Sequence, residues 1–289
     1  MTKQIISPDP ENEDLYRTLQ ARDHNGNLIE APIIHEKPLT VFLNSQEIVT
    51  LMTIGDHVEA LALGYLFNQN MLPSYDDVTS VDYEPDIDTI VVRTARQTNF
   101  ERILKRKVQT SGCGQGTIFG NLIETIEGQE LELGTTIKTS TLYPLLKTIN
   151  LTPRLYLKTG AIHGCVLVKE SQPLLYLEDV GRHNAVDKIA GFMMQNNISA
   201  HDKYFYTTGR LTSEMVIKMV KMKIPILISR SGFTAWAVEL ARAANLTLIG
   251  RARGKRFIVL SGFDRVEYDG QENKRSFECE PTPCAEQLI

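Results

Sequence analysis

Apolar residues in the second half of the chain alternate between compact runs and a three-to-four-residue spacing. Each compact run is short enough for a strand, and the segment that follows it has the period of a helix. The runs lie at 173–180, 203–209, 224–230 and 246–253. Strands that alternate with helices of this length predict an α/β fold, with a largely parallel sheet joined by right-handed crossovers.

The first half is patterned less regularly. Two β-type runs at 31–44 and 47–54 lie close enough to form a hairpin. A helix is expected to follow Asp56, whose side chain is a candidate N-cap. A strand is predicted at 88–95 and a further helix at 135–150.

These patterns divide the chain into four parts. Residues 1–30 are predicted to be a polar arm, and residues 31–130 a smaller N-terminal α+β portion. Residues 131–265 form the regular α/β domain, and residues 266–289 a polar tail. The fold class is therefore α/β in the larger domain and α+β overall.

Composition narrows the class of protein. A chain of 289 residues with 42% hydrophobic and 23% charged residues is typical of a globular protein. The net charge of -4 gives no reason to expect a nucleic-acid partner. No run approaches the roughly 18–20 apolar residues that a membrane span needs, and the first residues lack the apolar core of a signal peptide. We expect a cytoplasmic protein without a membrane or nucleic-acid partner.

The cysteines are scattered and are expected to be reduced thiols. They are Cys113, Cys165, Cys279 and Cys284. Cys165 lies in an apolar run and is expected in the core. Zinc is not expected, because no C-x-x-C pair occurs and the His-x-Cys sequence at 163–165 lacks the glutamate of the deaminase H-x-E motif.

Four strand-to-helix turns carry more polar groups than a simple core requires, and such turns are where α/β sheets bind ligands. The first, EDVGRHNAVDK at 178–188, places seven charged or amide side chains in one turn. The alternative is a capped helix start with solvated ion pairs. The fourth, at 249–257, has four basic residues and is either an anion-attracting rim or a basic surface hairpin.

The second and third turns, at 207–215 and 229–237, share one plan. Each combines glycine, arginine and hydroxyl side chains before a helix, and helix N-termini and guanidinium groups both bind anions. Two such turns on consecutive strands predict a phosphate-bearing ligand. The side chains concerned are Arg210, Ser213, Arg230, Ser231 and Thr234.

Cys113 lies apart from these turns, in the glycine-rich segment QTSGCGQGTIFG at 109–120. A thiol flanked by glycines in a polar loop is accessible to another protein. Such a thiol can accept a sulfur atom as a persulfide and pass it on. The alternative is an incidental loop cysteine.

Together these stretches resemble the FdhD family of formate dehydrogenase accessory sulfurtransferases. The matching pieces occur in the same order over roughly 31–262, and EDVGRHNAVDK is the most specific. They are EKPLTVFLN, ALALGYLF, SGCG, TGAIHGC, EDVGRHNAVDK, TTGRLTSEMVIK, IPILISRSGFTAWAVELA and LTLIGRARGKRF.

The resemblance implies a zinc-free, cytidine-deaminase-like three-layer fold for residues 131–265. It implies a sulfur carrier that takes sulfur from a cysteine desulfurase as a persulfide on Cys113. The acceptor is the molybdenum bis(molybdopterin guanine dinucleotide) cofactor of formate dehydrogenase, which GDP would mimic. A fold of this kind is also compatible with a homodimer.

The resemblance also maps a cofactor-binding stretch onto this chain. The stretch comprises Phe257, Ile258, Val259, Leu260, Ser261 and Gly262. We expect three residues of the earlier motifs to tune or position the site. These are His163, Asp179 and His183.

One departure from the family leaves an alternative open. The family loop carries C-x-x-C, whereas here Cys113 is followed three residues later by Gly116. One thiol suffices to carry a persulfide, but the second is missing. The alternative is a non-enzymatic chaperone that binds the molybdenum cofactor or a guanine nucleotide and has lost sulfur transfer.

Overall fold

The computed structural model describes residues 6–95, 108–109, 116–117, 128–152 and 154–269. The strands are β1 (Tyr16–Arg22), β2 (Leu28–Ile34), β3 (Lys37–Leu43), β4 (Gln46–Thr53), β5 (Val78–Glu84), β6 (Thr89–Thr94), β7 (Val108–Gln109), β8 (Gly116–Thr117), β9 (Ile137–Lys138), β10 (His163–Lys169), β11 (Gln172–Asp179), β12 (Lys203–Thr207), β13 (Ile226–Ser229), β14 (Thr247–Arg253), β15 (Arg256–Ser261) and β16 (Val266–Glu267). The α-helices are α1 (Val58–Asn68), α2 (Thr139–Leu151), α3 (Leu155–Thr159), α4 (Arg182–Gln195), α5 (Ser213–Lys221) and α6 (Ala235–Ala243). The mixed α/β class expected from the sequence is confirmed.

The larger sheet has six strands in the order β11-β10-β12-β13-β14-β15. Only β12 with β13 and β13 with β14 are parallel, so the prediction of a largely parallel sheet is wrong. Hairpins close both ends of the sheet, and the first hairpin also meets β12 in the antiparallel direction through β10. The β10–β11 turn has positive φ at Glu170 and Ser171, as a two-residue type I′ turn requires, and the β14–β15 turn has positive φ at Gly254.

Helices cover both faces of this sheet and make three layers. On one face, alternate strand residues such as Phe205 and Leu227 pack against α4, α5 and α6. On the other face, Tyr206 and Ile228 pack against α2. The two-residue period of the strands therefore distributes apolar side chains to two cores, and the strand ends remain available for polar groups.

The smaller sheet has the order β4-β3-β6-β5 and packs against α1. The predicted hairpin of β3 and β4 is confirmed. Asp56 does not cap α1, in contrast to the prediction, because His57 adopts a left-handed backbone conformation and the helix begins at Val58. The Asp56 carboxylate instead pairs with Lys188, a buried ammonium group that needs a counter-charge.

Two glycines allow α1 and α4 to cross at close range. A Cβ atom on Gly64 would lie 1.8 Å from the carbonyl oxygen of Asp187, and one on Gly191 would lie 1.9 Å from that of Ala60. Neither position accepts a side chain without moving a helix backbone. This crossing joins the smaller sheet to the larger one through their helices.

The ends of the described chain are attached to this body. Within the expected polar arm, β1 forms an antiparallel ribbon with β2, and Ile6 bridges to Leu175 on the edge strand β11. At the other end, β16 pairs with β9, and the Asp269 carboxylate accepts a hydrogen bond from the Ser140 N–H at 2.8 Å. In the described part of the chain, none of the helices has the length and apolar character to cross a membrane.

Candidate functional site

Hydroxyl side chains at the carboxyl end of β12 hold it against the start of β10. The Thr207 hydroxyl accepts a hydrogen bond from the Gly209 N–H at 3.1 Å, at the turn that leaves the strand. The Thr208 hydroxyl accepts one from the Gly164 N–H at 3.1 Å and lies 3.2 Å from Nδ1 of His163. His163 is thereby fixed beside the turn that carries Arg210.

The end of β13 is tied to the same turn. The Ser229 hydroxyl donates to the Gly209 carbonyl at 2.6 Å and accepts from the Ser231 N–H at 2.9 Å. The Ser231 hydroxyl donates to the Thr208 carbonyl at 3.0 Å, and the Arg251 N–H donates to the Ser231 carbonyl at 2.8 Å. These hydrogen bonds join the carboxyl-terminal parts of three neighbouring strands, β12, β13 and β14, into one surface, which forms the floor of the site.

A cavity of about 370 Å³ lies over this floor. It is lined by Tyr156, Gly160, Ala161, Ile162, His163, Val180, Thr208, Arg230, Ser231 and Arg253. Nε of Arg253 donates to the backbone carbonyl of Arg230 at 3.3 Å, and both arginines line the cavity. The cavity therefore combines hydroxyl groups and positive charge, the chemistry that binds phosphate.

The imidazole of His163 does not add to this positive charge at neutral pH. Its half-buried position lowers its pKa below the usual value, and the nearby charges of Arg182 and Arg210 lower it further. A neutral imidazole has one nitrogen that donates and one that accepts a hydrogen bond. His163 can therefore orient a polar group while the arginines supply the charge.

A second cavity, of about 1140 Å³, lies beside the first. Its lining is basic and aromatic. It consists of Thr139, Tyr143, Arg251, Arg253, Lys255, Arg256, Phe257, Ile258, Val259 and Tyr268. Arg253 lines both cavities, so a basic surface continues from His163 to Phe257.

Three other predicted ligand groups lie at the two turns. Arg210 is exposed and Ser213 is the half-buried first residue of α5. Thr234 caps α6, since its hydroxyl accepts a hydrogen bond from the helix backbone at 3.4 Å. A bridge between Leu211 and Phe233 holds the two turns side by side, but none of these three side chains lines either of the two cavities.

The predicted cofactor-binding stretch is divided by the structure. Phe257, Ile258 and Val259 line the larger cavity, whereas the next three residues anchor the strand. The Leu260 carbonyl accepts from Nε of Arg242 at 3.0 Å, and the buried Ser261 hydroxyl donates to the carbonyl that precedes β14 at 2.6 Å. Gly262 has positive φ, and a Cβ atom there would lie 2.3 Å from the Thr247 hydroxyl.

Asp179 lies in the protein interior rather than on a cavity wall. Its carboxylate accepts a hydrogen bond from the Thr53 hydroxyl at 2.6 Å and one from the Asn184 side chain at 3.2 Å. It also lies 2.6 Å from Nζ of Lys188, and neither side chain is exposed. These contacts fasten β4, β11 and α4 together behind the site.

His183 is also interior and pairs with a carboxylate. Its Nε2 lies 3.1 Å from Glu214, at the start of α5. Burial holds the pKa of His183 well below its usual value, and the charges of Lys218 and Arg182 act in the same direction. The neutral ring therefore joins the first turns of α4 and α5.

Glu178 is a residue whose importance the sequence did not separate from its neighbours. Its buried carboxylate accepts hydrogen bonds from the Leu155 N–H at 2.8 Å and the Tyr156 N–H at 3.4 Å. It thereby fixes α3, and Tyr156 of that helix lines the smaller cavity. Burial raises the pKa of Glu178 to about 7. The feature of the sequence that could have identified this residue is the acidic pair, Glu178 and Asp179, at the end of an apolar strand.

Glu178 should make the stability of the protein depend on pH. Because its pKa in the folded state is raised to about 7 from 4.5, folding favours the protonated form. Below pH 4.5 the group is protonated in both states and does not lower the free energy of unfolding. As the pH rises to about 7, the unfolded chain releases this proton while the folded protein keeps it, so the free energy of unfolding falls by on the order of 2–3 kcal/mol. We expect urea unfolding from pH 5 to 8 to show this loss in the wild type and a smaller one in Glu178→Gln. Equal pH dependence in both proteins would contradict this assignment.

The cysteines fall into two groups. Cys113, Cys279 and Cys284 lie outside the described residues. Cys165 is fully buried, as predicted, and burial raises the pKa of its thiol to about 12, so it is not a nucleophile. In the ranges that the structure describes, no group of three or more His, Cys, Asp or Glu side chains could hold a metal ion.

Known proteins resemble the chain over most of its length. It is 28% identical over 247 residues to the sulfur carrier protein FdhD of Wolinella succinogenes, covering 85% of this chain and 86% of that protein. It is 30% identical over 252 residues to the protein of the same name from Listeria monocytogenes, covering 82% and 92%.

A solved structure has a similar fold, and the sequence matches a known protein family. The crystal structure of a formate dehydrogenase accessory protein from Desulfotalea psychrophila superposes with a TM-score of 0.70 and 24% identity, covering 87% of this chain and 98% of that one. This likeness establishes the fold. Residues 34–267 match the FdhD/NarQ family, a range that contains the three turns that lead from a strand into a helix. It also contains the fourth predicted turn, which the structure shows to be the basic hairpin between β14 and β15. The chain belongs to the FdhD/NarQ family.

Proposed function

We propose that this protein is a sulfur carrier for a formate dehydrogenase. It accepts sulfur from a cysteine desulfurase as a persulfide on Cys113 and passes it to a molybdenum bis(molybdopterin guanine dinucleotide) cofactor. Membership of the FdhD/NarQ family and relatives named as sulfur carriers support the reaction class. The observation that carries the ligand assignment is the shared position of Arg253 in both cavities.

The shape and charge of the two cavities suit a ligand of this type. A guanine dinucleotide carries a pyrophosphate between two ring systems, so it needs a long surface with positive charge near its middle. Arg230 and Arg253 provide that charge at the junction of the cavities, and bidentate guanidinium groups are well matched to phosphate. Ser231 and Thr208 contribute hydroxyl groups beside them.

Sulfur loading is a thiol exchange that needs no outside oxidant. The Cys113 thiolate attacks the terminal sulfur of the desulfurase persulfide, a new S–S bond forms on Cys113, and the desulfurase cysteine leaves as a thiolate. Release of that sulfur as sulfide consumes two electrons. Because the loop has Gly116 in place of a second cysteine, a separate thiol reductant would supply them.

The interior pairs support the site through the scaffold. Asp179 and His183 touch the elements from which the cavities are built, so we assign them positioning roles. His163 lies on the wall of the smaller cavity and is the neutral hydrogen-bonding group there. We propose that the three-layer part of the fold, in which helices cover both faces of the sheet from β10 to β14, is cytidine-deaminase-like.

The function can be tested by complementation. In a bacterial strain that lacks its own family member, the wild-type chain should restore formate dehydrogenase activity, and Cys113→Ala should restore none. Loss of one charge-assisted contact in Arg253→Gln should reduce the restored activity to about a tenth. Arg93→Gln, which alters an exposed arginine on the other sheet, is the matched control and should behave as the wild type.

The same experiment separates the alternative function. A chaperone that binds the cofactor without transferring sulfur needs the arginines but not the thiol. Full activity of Cys113→Ala together with loss in Arg253→Gln would replace the sulfur carrier with this chaperone. The glycine at position 116 is the feature that makes the comparison necessary.

A further inference from the structure

The ribbon formed by β1 and β2 has one apolar face that is largely exposed. Residues that pair directly across an antiparallel ribbon share a face. On this face Leu19 is 53% exposed, Ile33 is 46% exposed and Ile29 is 43% exposed. The full set of residues on the face is Arg17, Leu19, Ala21, Ile29, Ala31 and Ile33. Several exposed apolar side chains on one face of a ribbon indicate an interaction surface.

The opposite face of the ribbon is attached beside the smaller cavity. Tyr16 and Ile34, which pair with each other, pack against the small core cluster that contains Ile162. Val180 and Tyr156 pack against the same cluster. Ile162, Val180 and Tyr156 also line the smaller cavity. The ribbon therefore begins at the wall of that cavity, and its apolar face lies on the side away from the core cluster.

The backbone hydrogen bonds of the ribbon show which groups face outward. The His35 N–H donates to the Leu15 carbonyl at 2.8 Å, and the Asp23 N–H donates to the Asn27 carbonyl at 3.0 Å. In an antiparallel ribbon, hydrogen-bonded pairs alternate with pairs whose backbone groups point away from the partner strand. The odd-numbered residues of β1 therefore bond to β2, and the even-numbered residues direct their N–H and C=O groups to the outer edge.

The two outer edges of the ribbon differ. The edge of β1 carries the backbone groups of Thr18, Gln20 and Arg22, and within the described ranges no strand pairs with them. On β2 the residue opposite Thr18 is Pro32, which has no N–H to donate, and α3 packs against this strand. Native proteins usually protect an open edge, so the unprotected edge of β1 is suited to pairing with an extended segment of another protein.

Charge defines the segment that fits this edge. Arg17 and Arg22 lie near the two ends of β1, and both are exposed. Their guanidinium groups hydrogen-bond to the His35 ring at 3.2 Å and to the Gly26 carbonyl at 2.9 Å, and in the described part of the chain neither forms an ion pair with a carboxylate. An extended segment with acidic residues near its ends and apolar residues on the side of Leu19 complements both features.

We propose that the outer edge of β1 binds an extended segment of the formate dehydrogenase that receives the ligand of the smaller cavity. This inference rests on the proposed function and adds the surface on which the client docks. The client fits better than the desulfurase, because only the client has to take a ligand from the cavity beside the ribbon. β1 lies outside the segment 34–267 that matches the family, so the family match does not include this surface.

Two proline variants of the full chain test the edge. Gln20→Pro removes an outward N–H from β1 without breaking a hydrogen bond of the ribbon, and Glu30→Pro does the same on β2 at the directly paired position. The measurement is calorimetric titration with the cofactor-free formate dehydrogenase purified from the complementation strain. Gln20→Pro should weaken binding roughly tenfold, the effect of losing about one hydrogen bond, whereas Glu30→Pro should bind as the wild type does.

A second pair of variants tests the apolar face. Leu19→Asp should weaken binding to the same enzyme at least tenfold, because it removes an apolar contact and adds a negative charge where acidic residues are expected. Ile87→Asp changes a side chain that is 67% exposed on the smaller sheet, and should leave binding unchanged. All four variants should accept sulfur from the desulfurase as the wild type does, because the proposed contact is with the client alone.

The possible outcomes separate the docking surface from the proposed function. No measurable binding by a wild-type chain that restores activity, or an equal loss in Gln20→Pro and Glu30→Pro, would overturn the edge of β1 as the docking surface. Unaltered binding in Gln20→Pro and Leu19→Asp would do the same. Loss of sulfur loading in these two variants, with a native circular dichroism spectrum, would assign the edge to the desulfurase and overturn the choice of client. A wild-type chain that neither loads sulfur nor restores activity would overturn the proposed function itself.

Discussion

Incubated with a cysteine desulfurase and free cysteine, the wild-type chain is expected to gain the mass of one sulfur atom, and Cys113→Ala to gain none. The reason is that persulfide exchange requires an accessible thiolate, and glycines flank Cys113 on both sides. Intact-protein mass spectrometry followed by peptide mapping measures both the gain and its position. Complete loss on a single substitution is the largest effect that we predict.

The other cysteines provide the controls. Cys165→Ala should gain sulfur as the wild type does, because the native thiol is buried and its pKa is raised to about 12. A variant with Cys279→Ser and Cys284→Ser together should also load normally. Sulfur found on the tail cysteines, or no gain in the wild type with an active desulfurase, would contradict the role of Cys113.

Lys188→Met is expected to destabilise the protein by about 3–5 kcal/mol, the usual cost of leaving a buried charge without its partner. Lys188 is fully buried, lies 2.6 Å from Asp179, pairs with Asp56 and donates to the Glu178 carbonyl at 3.0 Å. Removal of its ammonium group leaves the buried Asp179 carboxylate without a counter-charge. Urea unfolding at pH 7 measures the change in the free energy of unfolding.

Two further variants test whether the pair itself is responsible. Lys169→Met removes an ammonium group that lies 3.0 Å from Asp202 on the surface, and should cost less than about 1 kcal/mol. Lys188→Met combined with Asp179→Asn removes both charges and should recover part of the loss. Equal losses in the free energy of unfolding for Lys188→Met and Lys169→Met would show that burial of the Lys188–Asp179 pair has no effect on the cost of removing the lysine.

The order of strands and helices in the second half could be read from the sequence because it depends on local periodicity. The runs at 203–209 and 224–230 became β12 and β13, and the segments after them became α5 and α6. Strand direction could not be read in the same way. The antiparallel pairing of β10 with β12, for example, joins two strands that are separated in the chain by β11 and α4, so it depends on a long-range contact.

The candidate site also contains some features that could be read from the sequence and others that could not. Arg230 and Ser231 were identified from the turn chemistry, and His163 from the resemblance to the family, and all three line one cavity. Asp179 belongs to the same conspicuous motif as its neighbours, yet it is buried against Lys188. Motif density indicates where polar groups gather, but only the fold decides which of them face a ligand.

The sequence by itself determined the alternating strands and helices of the second half, because each follows from residue type and spacing within a short segment. For the same reason it predicts the anion-binding turns and the thiol of Cys113 as a sulfur carrier, and these stay predictions. Tertiary structure decided that Arg253 joins two cavities and that Tyr268 lies beside Phe257. It also decided that Asp56 pairs with Lys188, 132 residues away, instead of capping α1. These outcomes depend on contacts between distant segments, and a contact of that kind forms only when packing has brought the segments together.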